Sequence, residues 1–363
     1  MPKPEHRELR PCCITPVYDS KGYLKKRDFK RLGASMVVGI AGLRNLEIAT
    51  KFRETLSHLV LCDFDQNLVG ENGFWQLFRQ AITTTPNKEE FLEKLKELTI
   101  RNYIFDISSF HSGKISVLVY YNDHLKQKAL KQSAEIMGDT IRKMSWFKKD
   151  EKFAFIKDLF SREEENFDQR GGVKVASIDL TKQEDLQRLT QLCTSRAYPP
   201  KAVNSVVVNL SNSLNFVLGR GHSEWNPDTG EPKREEIDLD KTTQTAEFLR
   251  TDFLEHLCGR NVYIIDSVMT HNAHNQYVRD HGTLSAGDLG HFHSAVVRPD
   301  DLLEYRFVGE NPGAVDEVKF KRAAARISAT SDDIDLEITE EQGVIRKAKG
   351  SKVATTITFE KTV

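Results

Sequence analysis

"MVVGIAGLRNLEIATKF", Met36 to Phe52, decides the reading of the fold. An apolar, β-branched run stops at Gly39, turns through Ala41 and Gly42, and gives way to apolar residues at helical spacing. "SMVVGIA" predicts a strand buried on both faces, because no polar residue alternates with the apolar ones. "LRNLEIATKFRETL" predicts a helix with Leu46, Ala49, Phe52 and Leu56 along one stripe.

The same rhythm continues outward. "HLVLCDF" predicts a second buried strand ending in Asp63, and "GFWQLFRQAI" and "NKEEFLEKLKEL" predict two helices, the latter started by Thr85, Pro86 and Asn87. "VKVASIDL" predicts a third strand ending in Asp179. The helix "TKQEDLQRLTQLC" follows, with Thr181 and Glu184 as a capping box. "VNSVVVNLSN" predicts a fourth strand ending at Asn209–Asn212, "TQTAEFLRTDFLEHLC" a helix, and "RNVYIIDSVM" a fifth strand ending at Asp266. Strands alternating with helices of this length imply right-handed crossovers and a parallel sheet. The expected fold is α/β: a Rossmann-like, mostly parallel sheet flanked by helices, with a large α+β insertion and a small β-rich C-terminal appendage.

The boundaries follow from breaks in this rhythm. Residues 1–32 form an extended or short-helical lead-in, 33–99 the first half of the Rossmann-like domain, and 173–318 the second half. Between them, 100–172 reads as a hairpin around Ser108–Gly113 followed by helices. Trp146, Phe147, Phe153, Phe155 and Phe160 lie there at near-helical spacing, which reads as core; a lid or a docking surface is the alternative. Residues 219–240, rich in Gly, Pro and charge, form a long loop, and 319–363 the C-terminal appendage.

Composition narrows the function classes. Fifty-three acidic residues balance 52 basic ones, so no basic excess supports nucleic-acid binding. The local basic run Lys21–Arg31 reads as a solvated approach to the first strand. No stretch approaches the roughly 18 consecutive apolar residues of a membrane span, and "MPKPEHRELRPCC" has no apolar core of a secretory signal. Five cysteines without CxxC spacing suit a reducing compartment better than a disulfide framework or a structural zinc. The expectation is a cytoplasmic protein acting on a small molecule or a protein.

In an open parallel sheet, ligands bind beyond the carboxyl ends of the strands, where strand order reverses. Four polar signals fall at such ends: the Gly39–Gly42 turn, Asp63, Asp179 and Asn209–Asn212. Glycines allow close backbone approach, and a following helix would point free N–H groups at a ligand. Asp63 lies about 20 residues after the turn, the offset of a carboxylate that accepts from ribose hydroxyls. Asp179 could take an adenine amino group. The competing readings are a plain strand-to-helix turn, and aspartates that only serve local helix starts.

"GIAGLRNLEIATKFRETLSHLVLCDFDQN" resembles the first βαβ unit of class I S-adenosylmethionine-dependent methyltransferases, and is similar to an uncharacterised bacterial methyltransferase-like family. The resemblance spans 36–98 and 173–218. It places the family's features on Gly39, Gly42, Asn45, Arg53, Asp63 and Asn67, and its later "LSN" on Leu210, Ser211 and Asn212. Ala41 stands where the usual turn has a glycine, and no acid precedes the turn. The resemblance implies S-adenosylmethionine as cofactor, held by Gly39, Ala41, Gly42, Asn45, Asp63, Asn67, Asp179 and Ser211. It also implies methyl transfer that needs positioning and water exclusion more than a universal catalytic residue. Asn209, Asn212 and His222 are the candidates to assist at the methyl acceptor. A separate segment, "THNAHNQYVRDHGTLSAGDLGHFHS", offers His271, His274, His291 and His293 at spacings that a metal could use. A polar substrate-facing loop is the alternative there. Two other functions stay open: a dinucleotide-dependent oxidoreductase, and a non-catalytic interaction protein that retains the fold.

Overall fold

A computed structural model describes residues 8–15, 32–40, 42–107, 123–194, 205–211, 213, 224–225, 232–233, 244–245, 247–269, 292–300 and 303. The strands are β1 (Arg10–Cys12), β2 (Ala34–Ile40), β3 (His58–Asp63), β4 (Ile104–Asp106), β5 (Gly172–Ser177), β6 (Ser205–Ser211), β7 (Glu224–Trp225), β8 (Pro232–Lys233), β9 (Val262–Met269) and β10 (Phe292–Val297). Six of them form one sheet in the order β10-β9-β6-β2-β3-β5. The five from β9 to β5 run parallel, and β10 closes the edge antiparallel to β9. This is the expected Rossmann-like α/β architecture. The chain runs from β2 outward through β3 to β5, then returns to β6 on the other side of β2. Strand order therefore reverses between β2 and β6, and the crevice rule points there.

Both faces of the sheet are covered, which is why its strands are apolar without alternation. Val37, Leu59, Leu61, Val173 and Val207 face one core, and Met36, Val38, Ile40, Val60, Val206 and Val208 the other. Against the first core pack α1 (Arg44–Ala49), α3 (Phe74–Thr84), α4 (Lys88–Arg101), α5 (Asp123–Lys143), α6 (Ser145–Lys148) and α7 (Asp150–Ser161), while α2 (Gln66–Val69) follows β3. The second core is closed by α9 (Gln183–Thr194), a π-helical turn (Leu249–Leu254) and α10 (Glu255–Leu257), with α8 (Phe167–Arg170) ahead of β5. The start of α4 is the one its sequence announces: Asn87 Oδ1 accepts from Glu90 N–H at 2.9 Å, and its amide donates to Glu90 Oε1 at 2.7 Å.

Several expectations change. The helix after the glycine turn is short: α1 ends at Ala49, a 3₁₀ turn carries the chain through Phe52, and the next strand begins at His58. The start of α9 is held by Asp179 and Asp185 rather than by Thr181 and Glu184. Asp179 Oδ1 accepts from Thr181 N–H (3.0 Å) and Oγ1 (2.7 Å), while Asp185 Oδ2 accepts from Asp179 N–H (2.9 Å). The first half of the expected hairpin is β4, which pairs parallel with β1 of the lead-in in a separate two-stranded sheet. Asp266 does not end its strand, since β9 continues to Met269. The insertion's aromatics are core: Trp146, Phe147, Phe153 and Phe160 are buried, Phe155 partly so, and they interlock with Trp75, Phe78 and Phe91. The second half of the hairpin and the 319–363 appendage lie outside the described residues. Among the described residues no helix is long and apolar enough to cross a membrane.

Candidate functional site

Register brings the predicted strand ends to one edge of the sheet. Gly39 lies opposite Leu61 on one side and Asn209 on the other, Ile40 lies opposite Cys62, and Asp63 lies opposite Ser177. The turn after β2, Asp63 after β3, Asp179 just beyond β5 and Asn209 in β6 thus share the carboxyl edge. The β6–β9 pairing slips by one residue between Asn209 and Ser211. Such a bulge bends the strand where it leaves the switch point.

The local chemistry at the turn is internal. Gly39 is glycine because Asn45 needs its space: a Cβ there would meet Asn45 Cγ at 2.1 Å. Asn45 is fully buried and donates from Nδ2 to the carbonyls of Ile40 (3.1 Å) and Gly42 (3.2 Å). Its Oδ1 accepts from Asn209 Nδ2 at 2.6 Å. The two asparagines therefore bridge the first and fourth strands of the parallel sheet beneath the turn. Gly42 is buried too, and a Cβ there would lie 1.9 Å from the Ile14 carbonyl oxygen, which also accepts from Leu43 N–H at 2.9 Å. The glycines are thus filled by the chain's own amide and backbone groups. With only six residues in α1, the expected helix-end cradle is also short.

The other candidates divide. Asp63 is buried, with Oδ1 accepting from Asp65 N–H at 3.0 Å. Phe64, which follows it, is 60% exposed, and the sequence reading passed over this ring. Its signal was available: a large aromatic in the first position past a buried strand. Asp65 caps α2 through Asn67 N–H (2.8 Å), and burial raises its carboxyl pKa against the opposing pull of that hydrogen bond and of Arg10. The Asn67 side chain turns to the lead-in: Oδ1 accepts from Arg10 Nε and Nδ2 donates to the Pro11 carbonyl, each at 3.0 Å. Asp179 lies at the same edge but is engaged with Thr181 as described, and its Oδ2 lies 3.8 Å from Lys182 Nζ.

Asn209 is 3% exposed. Ser211 ends β6, opposite Asp266. Ala41, Asn212, His222, His271, His274 and His291 lie outside the described residues; His293 belongs to β10, paired with Val268. Among the described residues no group of three His, Cys, Asp or Glu is placed to hold a metal ion.

The class that fold and edge define is a Rossmann-like α/β protein with polar groups gathered at its topological switch point. Compared with models of known protein families and with curated proteins, the chain matches none.

Proposed function

We propose that this protein is an S-adenosylmethionine-dependent methyltransferase acting on a small-molecule or protein substrate. The observation that supports it most is the end of β3: the buried Asp63, level with the turn after β2, followed in the chain by the exposed Phe64. A carboxylate there suits the two hydroxyls of a ribose, and an exposed aromatic one residue further on suits a purine base. When bound, the cofactor supplies a methyl group on a sulfonium that already leaves readily. The chain's part is to bind it, align the acceptor and exclude water. Asn209, at the bulge, positions β6 through Asn45; Asn212 and His222, further along, are the candidates to face the acceptor.

A second reading has its own observation. Because Asn45 and the Ile14 carbonyl fill the spaces beside Gly39 and Gly42, the fold could be retained for interaction without catalysis. The dinucleotide reading is weakened by β10, which runs antiparallel where a second mononucleotide-binding half would continue the parallel sheet.

Calorimetry with S-adenosylmethionine, S-adenosylhomocysteine, NAD and NADP separates the three. Micromolar binding of the first two, lost by about 10- to 150-fold in Asp63→Ala, is the expected result for a charged acceptor removed from a ligand. Phe64→Ala should weaken the same binding. Binding of none of the four ligands would favour the interaction reading, and unchanged affinity in Asp63→Ala would remove that residue from the site.

A further inference from the structure

The lead-in segment Arg10–Thr15 is not a passive approach to the sheet. It lies across the carboxyl end of β2, with Ile14 on Gly42 and the Cys13 carbonyl oxygen 2.9 Å from where a Gly42 Cβ would be. The half-buried Cys13 thiol lies 3.9 Å from the Thr15 carbonyl oxygen, and desolvation first, then the charges of Asp106, Asp63 and Asp65, push it up to about 12.

The segment is held both by apolar burial, with Cys12 and Ile14 in the first core, and by polar ties. Arg10 and Pro11 are tied to Asn67, and Arg10 Nη1 donates to the Asn72 carbonyl at 2.9 Å. β1 pairs with three residues of β4 only, outside the main sheet. The polar ties converge on Asp106, 1% exposed, whose carboxylate accepts from Ile14 N–H (3.1 Å), Thr15 N–H (3.4 Å) and Thr15 Oγ1 (2.6 Å). A buried carboxylate that accepts from several donors of one short segment couples those donors to a single group, so one substitution loosens them together.

We propose that Arg10–Thr15 is a strap, latched by Asp106, that covers the switch-point turn and lifts as a local unit to uncover the edge where the ligand would enter. The ligand half of this inference rests on the methyltransferase reading; the strap half does not. Lifting exposes Cys12, which is 2% exposed, without disturbing Cys62 or Cys193, each 0% exposed on the other face of the sheet.

The test is site-resolved alkylation of the native full chain, in a Cys13→Ser background so that the neighbouring thiol does not interfere. Cys12 should label faster than Cys62 and Cys193. Asp106→Asn should speed Cys12 labelling at least about tenfold, as loss of a charged acceptor implies, while the other two stay protected. Thr15→Val, a milder cut of one latch bond, should give a smaller increase in the same direction. If all three cysteines label together in every variant, the strap opens only on global unfolding and the proposal is overturned. Saturating S-adenosylhomocysteine should raise the Cys12 rate if ligand holds the lifted form; slower labelling would make the segment a wall of the site and overturn the gating half. No binding of S-adenosylhomocysteine to any variant would count against the methyltransferase reading and against gating by that ligand, while the rates without ligand still decide the strap.

Discussion

Gly39→Ala is the perturbation whose cost can be worked most fully from the structure. The new Cβ would sit 2.1 Å from both Cγ and Oδ1 of Asn45 and 2.6 Å from its Nδ2, inside any allowed contact. Asn45 has no open space to move into, since it is fully buried beneath the turn. Displacing it breaks its bonds to the Ile40 and Gly42 carbonyls and separates its Oδ1 from Asn209 Nδ2. Disturbing a buried donor in this way costs about 1–3 kcal/mol, and forcing an extra methyl into a packed core about 1–3 kcal/mol. The single variant should therefore lose about 2–6 kcal/mol. Asn45→Ala alone should lose only the hydrogen-bond part, about 1–3 kcal/mol. The double variant, in which the alanine methyl enters the space the amide leaves, should be little worse than Asn45→Ala, so the coupling between the sites should be about 2 kcal/mol or more. Urea unfolding of the four chains, with unchanged slopes, measures this. Additive losses would refute the claim that the glycine exists to make room for the asparagine.

Other expectations follow from particular contacts. Glu47, on α1, accepts from Ser145 Oγ at 2.6 Å, from Trp146 N–H at 3.2 Å and from Ser145 N–H, so it ties the first βα unit to the start of α6 in the insertion. Glu47→Ala should cost about 2–4 kcal/mol, by loss of a charged acceptor, and alter the near-ultraviolet circular dichroism of the buried Trp146; Glu47→Gln should recover part of both. Burial pushes the Cys193 thiol from about 9 up to about 12, so the unfolded chain gives up this proton first and stability falls as pH rises above 9. Over the window from pH 9 to 11, Cys193→Ala should reduce the loss by about 1.4 kcal/mol per pH unit, read from urea midpoints. At the proposed site, Asp63→Asn keeps an oxygen for Asp65 N–H, so it should preserve the β3–α2 corner while weakening S-adenosylhomocysteine; equal loss of stability and binding would make the residue structural.

The layered α/β class, the five parallel strands and most helices were legible in the chain, because burial on two faces and helical periodicity are local patterns. So was the shared edge of Asp63, Asp179 and Asn209, since strand ends follow from where apolar runs stop. What glycine meets in space was not legible. Gly39 and Gly42 carry the same letter whether a ligand, an asparagine amide or the carbonyl of Ile14 lies against them, and only packing distinguishes the three. Asn67 likewise is implied to be a ligand contact by the methyltransferase resemblance, but it is turned to Arg10 and Pro11 by a lead-in more than fifty residues away. The exposed ring of Phe64, the bulge in β6 and the latch of Asp106 on Thr15 also depend on chain segments far apart in sequence. Periodicity encodes which faces must leave water; which groups then meet at the sheet's edge is set by long-range contacts that no local window contains.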